Sequence, residues 1–155
     1  MRIEAVDALD VNDRTALRWL WNAEYPAGIA HPDDTSLRRY LDSLGNAQHL
    51  LAYSAEQDIV GWLATFDREG ERWFAMIVSR ACQRQGIGSR LLRRAQDEAA
   101  GPLSGWAVDS DRFRRADGST YPSPLEFYRA LGFTVLENER AESDVLSTVR
   151  IRWGV

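Results

Sequence analysis

Three short apolar stretches in the middle of the chain constrain its fold most. Residues 49–54, 59–66 and 72–78 are rich in β-branched and aromatic side chains, which is typical of β-strands. Only the polar segments AEQD and DREGE separate them. Connections this short join antiparallel neighbours, because a parallel crossover needs about a dozen residues or more. The sequence therefore predicts an antiparallel meander in the middle of the sheet.

Helical patterns lie on both sides of this meander. Residues 12–23 carry apolar side chains at helical spacing, and a second helix follows Asp33 or Asp34, either of which is a suitable N-cap. Gly45 is predicted to end that second helix. After the meander, residues 87–99 place their apolar side chains on one face and their charged ones on the other.

The remaining segments complete a mixed sheet. Residues 2–9, 103–108, 133–136 and 146–153 predict four more strands, and residues 124–131 predict a short helix. The order of elements is then β-α-α-β-β-β-α-β-α-β-β. A chain of 155 residues suits one hydrophobic core. We therefore expect a single α/β domain over residues 1–155, with a mixed, mostly antiparallel sheet flanked by helices.

Composition excludes several classes of partner and site. A net charge of -4 gives no reason to expect nucleic acid, and no apolar stretch approaches the roughly 20 residues that span a bilayer. The single cysteine, Cys82, and the absence of a signal-peptide pattern favour the cytoplasm. Two histidines and one cysteine fit no metal-binding spacing, so we expect no metal. All 19 basic residues are arginines, which excludes a phosphate-binding lysine.

The segment QRQGIGSR before the third helix predicts a ligand loop or a plain turn. A P-loop requires lysine after its second glycine, but Gly88 is followed by Ser89. A dinucleotide loop requires a third glycine where Leu91 stands, although Asp109 lies about 20 residues further on, as a ribose-binding acid would. Glycines let backbone N–H groups close around an oxyanion, and a helix N-terminus adds about half a positive charge. The loop therefore suits a pyrophosphate.

Two segments together resemble a known family. IVSRACQRQGIGSRLL resembles motif A of the GNAT-type N-acetyltransferases, and PLEFYRALGF resembles their motif B. The predicted order of strands and helices is similar to that family's fold along nearly the whole chain. The sequence departs from the family pattern at Arg80, where many members have proline, and at Arg84, which replaces a frequent glycine. Tyr121 and Pro124 also stand where members often carry asparagine and alanine.

The resemblance implies a coenzyme site. Acetyl-CoA would lie between two splayed parallel strands, residues 74–78 and 103–108, with its pyrophosphate on the backbone N–H groups of the glycine loop. Val78 and Ser79 would bind the pantetheine arm through their backbone, and an N–H near Val78 would face the thioester oxygen. The implied coenzyme-binding residues are Val78, Ser79, Gln83, Arg84, Gln85, Gly86, Ile87, Gly88 and Ser89.

The resemblance also implies a catalytic group. Tyr128 matches the motif B tyrosine and would act as general acid toward the departing coenzyme thiolate. A base for the attacking amine is open between Glu71, Asp109 and a water relay. The first two helices with the loop between them, and the stretch 109–123, would form the acceptor site.

The aromatic candidates for the acceptor site are Trp19, Trp21, Tyr25 and His31. The resemblance thus implies an enzyme that transfers an acetyl group from acetyl-CoA to a primary amine of a small molecule or peptide, with a homodimer as a possible assembly. Two alternatives stay open: an acyl-CoA-binding module without activity, and a nicotinamide- or nucleotide-binding module based on Asp109.

Overall fold

The sheet of this protein is mixed and mostly antiparallel, as predicted. The computed structural model describes residues 1–82 and 84–154. Within these ranges seven strands form one sheet in the order β1-β2-β3-β4-β5-β7-β6. The strands are β1 (Arg2–Val6), β2 (Gly45–Tyr53), β3 (Ile59–Arg68), β4 (Glu71–Val78), β5 (Leu103–Val108), β6 (Thr134–Glu142) and β7 (Ser147–Trp153). All neighbours are antiparallel except β4 and β5, which run parallel.

Helices cover both faces of the sheet. The helices α1 (Val11–Glu24) and α2 (Asp34–Asp42) pack on one face, around the fully buried Trp62. The helices α3 (Ile87–Glu98) and α4 (Leu125–Ala130) pack on the other face. The core therefore has two layers with the sheet between them, and strands β2, β3 and β4 contribute side chains to both.

The helix boundaries follow from local capping. Asp10 accepts a hydrogen bond from the Asp13 N–H and Asp13 returns one, so a capping box starts α1. Asp33 caps α2, as predicted, by accepting from the Ser36 N–H at 2.8 Å. The prediction that Gly45 ends α2 is wrong. The helix ends at Asp42, and Gly45 is instead the first residue of β2.

Strand lengths differ from the predictions at the edges of the sheet. β6 continues to Glu142, whereas the sequence predicted an end at residue 136. The second half of β6, ENERAE, is exposed and carries charged side chains, as edge strands often do. The register of its pairing with β7 shifts between Leu136 and Arg140. β1 ends at Val6, and Leu9 is buried in the core beyond it.

The parallel strands β4 and β5 separate soon after they meet. They pair only through Arg72 with Leu103 and Trp73 with Ser104. The next residue of β5 is Gly105, where a Cβ atom would lie only 2.7 Å from the Phe74 ring. The ring therefore fills the space between the strands just beyond their last pair, and the gap opens from there toward their C-terminal ends.

Candidate functional site

A cleft of about 470 Å³ opens where β4 and β5 separate. The end of β4, the start of α3, α4 and the C-terminal end of α1 surround it. Its lining residues are Glu24, Tyr25, Met76, Ile77, Val78, Cys82, Arg84, Gly86, Ile87, Gly88, Ser89, Arg115, Tyr121, Pro122, Ser123, Pro124, Phe127 and Tyr128. Most of these side chains are apolar or aromatic, so the few polar groups among them determine what the cleft can bind.

The edge of β4 offers backbone groups to this cleft. The Ser79 N–H donates to the Val60 carbonyl of β3 at 2.9 Å. Because hydrogen-bonding direction alternates along an antiparallel strand, the N–H and C=O groups of Met76 and Val78 point away from β3, into the gap. The Met76 carbonyl accepts a hydrogen bond from the Tyr25 hydroxyl at 2.8 Å. The strand edge at Val78 is therefore the part that faces the open cleft.

The N-terminus of α3 supplies a second set of donors. The first N–H groups of a helix have no partner within it, and among residues 1–82 and 84–154 no side chain caps α3. Ile87, Gly88 and Ser89, the first three residues of this helix, all line the cleft, and so does Arg84. Free N–H groups, the helix dipole and a guanidinium at one place suit an anion such as a pyrophosphate.

The structure favours a glycine at both Gly86 and Gly88, for two different reasons. Gly86 has a φ of +75°, a left-handed conformation that side chains disfavour, and a Cβ there would meet nothing within 4 Å. Gly88 lies in the helix, and a Cβ there would lie 3.2 Å from Phe127 Cζ and 3.6 Å from Val78 Cγ2. Arg84 has a φ of +70°, so it occupies a glycine-like conformation with a bulky side chain.

The structure brings most of the predicted coenzyme-binding residues to one cleft. Those that line it are Val78, Arg84, Gly86, Ile87, Gly88 and Ser89. Gln85 does not line the cleft, and Gln83 lies outside the described residues. Ser79 does not line the cleft either. Its backbone groups are already used, since its N–H donates to the Val60 carbonyl and its carbonyl accepts from the Cys82 N–H at 3.0 Å.

Tyr128 reaches the cleft from α4. Its ring packs against Phe74 and Phe133, with centroids 5.7 and 5.6 Å apart, and only 7% of the residue is exposed. Burial, with a smaller contribution from Tyr121, raises the pKa of the Tyr128 hydroxyl above its usual value. The hydroxyl therefore stays protonated at neutral pH. Because it forms no hydrogen bond with the described residues, it can donate one to a molecule in the cleft.

Two more tyrosines face Tyr128 from other elements. Tyr25 follows α1, and Tyr121 lies in the long stretch between β5 and α4, with 6.4 Å between their ring centroids. Burial raises the pKa of Tyr121 to about 12, and burial likewise raises that of Tyr25. Tyr25 was among the predicted acceptor-site aromatics. Local sequence gave no sign of Tyr121 as a lining residue beyond its departure from the family pattern.

An ionic cluster with a buried carboxylate holds the wall beside Tyr25. Glu24 is 8% exposed and accepts from the Arg80 N–H at 2.9 Å. Its Oε1 lies 3.1 Å from Arg80 Nε and 3.7 Å from Arg115 Nε, although neither contact is aligned as a hydrogen bond. Arg115 also donates to the carbonyls of Glu24 and Thr120. The cluster fastens α1 to the end of β4 and to residues 109–123.

Neither carboxylate predicted as a base lies free in the cleft. Glu71 is at the opposite end of β4, where it forms ion pairs with Arg150 and Arg152. Asp109 forms a bidentate pair with Arg140 at 2.7 and 3.1 Å. Hydrogen bonds from Arg140 lower the pKa of the Asp109 carboxyl, which weakens it as a base. The same pairing removes Asp109 as a free ribose-binding acid.

The other three predicted acceptor-site residues, Trp19, Trp21 and His31, do not line the cleft. Trp19 is 71% exposed on the outside of α1. Trp21 is buried, stacks edge-on to Tyr25 and lies 4.6 Å from the His31 ring, so both belong to the packing beneath α1.

Over residues 1–82 and 84–154, no group of three or more His, Cys, Asp or Glu side chains could hold a metal ion. Over the same residues, no helix is long and apolar enough to cross a membrane.

Solved structures share this fold at low sequence identity. An aminoglycoside 6'-N-acetyltransferase complexed with coenzyme A is 15% identical, with a TM-score of 0.72 over 99% of this chain and 97% of the other. An aminoglycoside 6'-N-acetyltransferase from Enterococcus faecium is 14% identical, with a TM-score of 0.71 over 99% and 97%. A GNAT superfamily phosphinothricin acetyltransferase from Sinorhizobium meliloti, in complex with AcCoA, is 12% identical, with a TM-score of 0.65 over 100% and 89%.

Sequence comparison gives the assignment. No curated protein sequence matches the chain significantly. The family model described as "Acetyltransferase (GNAT) domain" matches residues 45–135. That range contains the meander, the glycine loop, α3, β5 and α4, which are the elements that surround most of the cleft. The chain therefore belongs to the GNAT acetyltransferase family.

Proposed function

We propose that this protein transfers an acetyl group from acetyl-CoA to a primary amine, in the cleft between β4 and β5. The observation that carries the proposal is the meeting of three features in one cleft. These are the strand edge at Val78, the uncapped N-terminus of α3 and the hydroxyl of Tyr128. Each suits a different part of a coenzyme thioester: the amide-containing arm, the pyrophosphate and the sulfur.

The polar groups of the cleft suit the chemistry of coenzyme A. The N–H groups of Ile87, Gly88 and Ser89 would bind the pyrophosphate, and the Arg84 guanidinium would add charge. The backbone of Val78 would bind the pantetheine arm as an added strand does. Ser79 is not needed for this, since its N–H already donates to Val60. The bound thioester supplies the acyl group, and the chain supplies position and charge.

Tyr128 and the β4 edge would stabilise the charges that develop during transfer. An N–H of Val78 or Met76 would donate to the acyl oxygen as it becomes negative. The Tyr128 hydroxyl would donate to the sulfur as the C–S bond breaks. Because burial raises the pKa of Tyr128, complete proton transfer to a thiolate with a pKa near 8.5 is uphill. A hydrogen bond to the sulfur is therefore the role we assign to it.

The proton of the attacking amine would leave through water. Glu71 lies at the far end of β4, and Arg140 holds Asp109 in its ionised, weakly basic form. The Glu24 carboxylate is close to the cleft but is compensated by Arg80 and Arg115. The neutral amine then bonds to the acyl carbon, and the C–S bond breaks to give a thiolate. The nitrogen loses its remaining extra proton to water, and water protonates the thiolate, so the products are an amide and the free thiol of CoA.

The acceptor would approach from the α1 face, opposite to Tyr128. Residues 109–123 and the segment after α1 border this side, and their backbones are joined by a bond from the Ala27 N–H to the Arg114 carbonyl. Aminoglycosides in the names of two similar structures support a small-molecule amine as acceptor, and a peptide amine is the second class. The reaction would take place in the cytoplasm.

An amine panel with acetyl-CoA tests the proposal. Aminoglycosides, amino acids, polyamines and lysine peptides are each incubated with enzyme and acetyl-CoA, and thiol release is followed. Acetylated amine, identified by mass, should accumulate in proportion to the thiol. Thiol release without acetylated product would mean hydrolysis, and would contradict amine transfer.

One observation favours a second function, an acyl-CoA-binding module without activity. Both carboxylates considered as bases, Glu71 and Asp109, are ion-paired with arginines. Such a module would bind CoA and acetyl-CoA but would acetylate no amine in the panel at any pH up to about 10, where a substantial fraction of an amine with a pKa of about 10.4 is already deprotonated.

A further inference from the structure

Tyr128 and Tyr25 line the cleft from two sides, and the Phe74 ring packs behind the lining residues. Phe74 fills the space where β4 and β5 close together against Gly105. Tyr128 stands on the α4 side, with its ring centroid 5.7 Å from that of Phe74. Tyr25 comes from the opposite, α1 face of the sheet and reaches across to the Met76 carbonyl. The side chain of Tyr25 therefore narrows the cleft on the α1 side, beside the path proposed for the acceptor.

The ring of Tyr25 is held in this position from several directions. Its hydroxyl donates to the Met76 carbonyl at 2.8 Å. Trp21 packs edge-on against it with centroids 4.7 Å apart, and Trp21 is itself fixed by a bond from its Nε1 to the Ile29 carbonyl at 2.8 Å. Tyr121 packs on another side. A ring with so many contacts is a fixed wall, because moving it breaks a hydrogen bond and two aromatic contacts together.

We propose that Tyr25 determines which acyl groups the enzyme transfers, by limiting the acyl chain to acetyl. The inference rests on the proposed function, since a coenzyme arm along Val78 is what brings the acyl group to this point. There the acyl group would lie between Tyr128 on one side and Tyr25 on the other. Each further methylene must displace the Tyr25 ring. One methylene in an apolar pocket changes kcat/KM by about 10- to 200-fold.

Tyr25 differs from its two neighbours in what its removal would do. Phe74 is a core residue that contacts Tyr128 and Phe133, so shortening it would loosen α4. Tyr128 is assigned to the thiolate. Tyr25 is half-buried at the C-cap of α1, where a smaller side chain leaves the helix and its cap bond to the Trp21 carbonyl in place. Replacement of Tyr25 therefore leaves α4 and the proposed thiolate donor in place.

The test compares acetyl-, propionyl-, butyryl- and hexanoyl-CoA in wild type and in variants of Tyr25. Tyr25→Ala and Tyr25→Val remove the ring, and the second is included because it retains more of the packing if the first does not fold. Tyr25→Phe removes only the hydroxyl. Tyr53→Ala is the matched control, since Tyr53 lies on β2, outside the cleft, beneath the Arg2 guanidinium. The measured quantities are kcat/KM for each thioester with an acceptor from the amine panel, and the Kd of each thioester.

The wild type should prefer acetyl-CoA over butyryl-CoA by at least about tenfold. Tyr25→Ala or Tyr25→Val should raise the butyryl-to-acetyl ratio of kcat/KM by at least the same factor. Tyr25→Phe and Tyr53→Ala should keep the wild-type ratio. If transfer is absent with every amine, the Kd series should still show the acetyl preference in wild type and its loss in the ring-less variants, so the proposed function would fail while this inference stands.

Two results would overturn the inference and leave the proposed function intact. One is a wild type that transfers butyryl as fast as acetyl. The other is a folded Tyr25→Ala or Tyr25→Val variant with acetyl transfer and an unchanged acyl preference. Failure of the wild type to bind any CoA thioester would overturn both proposals.

Discussion

Tyr128→Phe tests the role assigned to the hydroxyl at the cleft. The change removes one oxygen and little volume. That oxygen forms no hydrogen bond with the described residues, and the ring keeps its contacts with Phe74 and Phe133. We therefore expect the melting temperature and the affinity for CoA to stay close to those of the wild type, while the step that breaks the C–S bond loses a donor.

The magnitude of the loss distinguishes hydrogen bonding from full proton transfer. A hydrogen bond to a charged group is worth about 1.5–3 kcal/mol. At about 1.36 kcal/mol per tenfold, that is a decrease of roughly 10- to 150-fold in the rate of acyl transfer. A general acid contributes typically 10²–10⁴-fold. Because burial raises the pKa of Tyr128, the smaller range is the one we predict.

Single-turnover kinetics is the assay, since product release can hide the chemical step. Enzyme in excess over acetyl-CoA is mixed with a saturating amine, and acetylated product is followed in time. Tyr40→Phe is the matched control, because Tyr40 is another tyrosine whose pKa burial raises to about 12, and it lies outside the cleft. A Tyr128→Phe variant with the wild-type single-turnover rate would refute the role of this hydroxyl.

Three further predictions concern the loop and the β5 end. Gly88→Val should weaken CoA binding, measured by calorimetry, because even its Cβ would lie 3.2 Å from Phe127 Cζ; unchanged affinity in a folded variant would contradict this. Arg84→Gly should raise the melting temperature, because it relieves a φ of +70° at a cost of order 1 kcal/mol, yet weaken CoA binding in a salt-dependent way; stronger binding would be the contrary result. Arg140→Gln should destabilise the protein more at pH 7 than at an acidic pH at which the protein is still folded. Hydrogen bonds from Arg140 lower the pKa of Asp109 in the folded state. The stability that this ion pair contributes is therefore present above the unfolded-state pKa of Asp109 and is lost as the pH falls through its folded-state pKa. Equal destabilisation at both pH values would contradict the pairing.

The sequence predicted the elements that have strong local patterns. The meander was predictable because short polar breaks leave no room for a crossover, and α3 was predictable from its amphipathic spacing. The prediction that Gly45 ends α2 was wrong, although a glycine after an apolar helical face commonly marks a helix end. Here it begins β2, paired with Asp67, and a Cβ would lie 3.1 Å from the Asp67 carbonyl. Local sequence does not carry that contact.

The lining of the cleft was more predictable at the glycine loop and α4 than on the α1 side. Motif residues such as Gly86 and Tyr128 are fixed by a loop and a helix that are local in sequence. The wall formed by Tyr25 depends on a hydrogen bond to Met76, 51 residues away, which no local pattern encodes. The pairing of Asp109 with Arg140 spans 31 residues and depends on the charged half of β6, which lies beyond the strand end that the sequence predicted at residue 136.

The melting temperature with and without CoA tests most directly whether the cleft between β4 and β5 is a coenzyme site. At 100 times its Kd, CoA should stabilise the protein by about 2.7 kcal/mol. For a chain of this size, each kcal/mol raises the melting temperature by roughly 2–4 °C, so the expected increase is roughly 5–10 °C. NAD at the same concentration should change it little, because Asp109 is held by Arg140 and the loop follows an antiparallel meander. An increase with NAD and none with CoA would contradict the account.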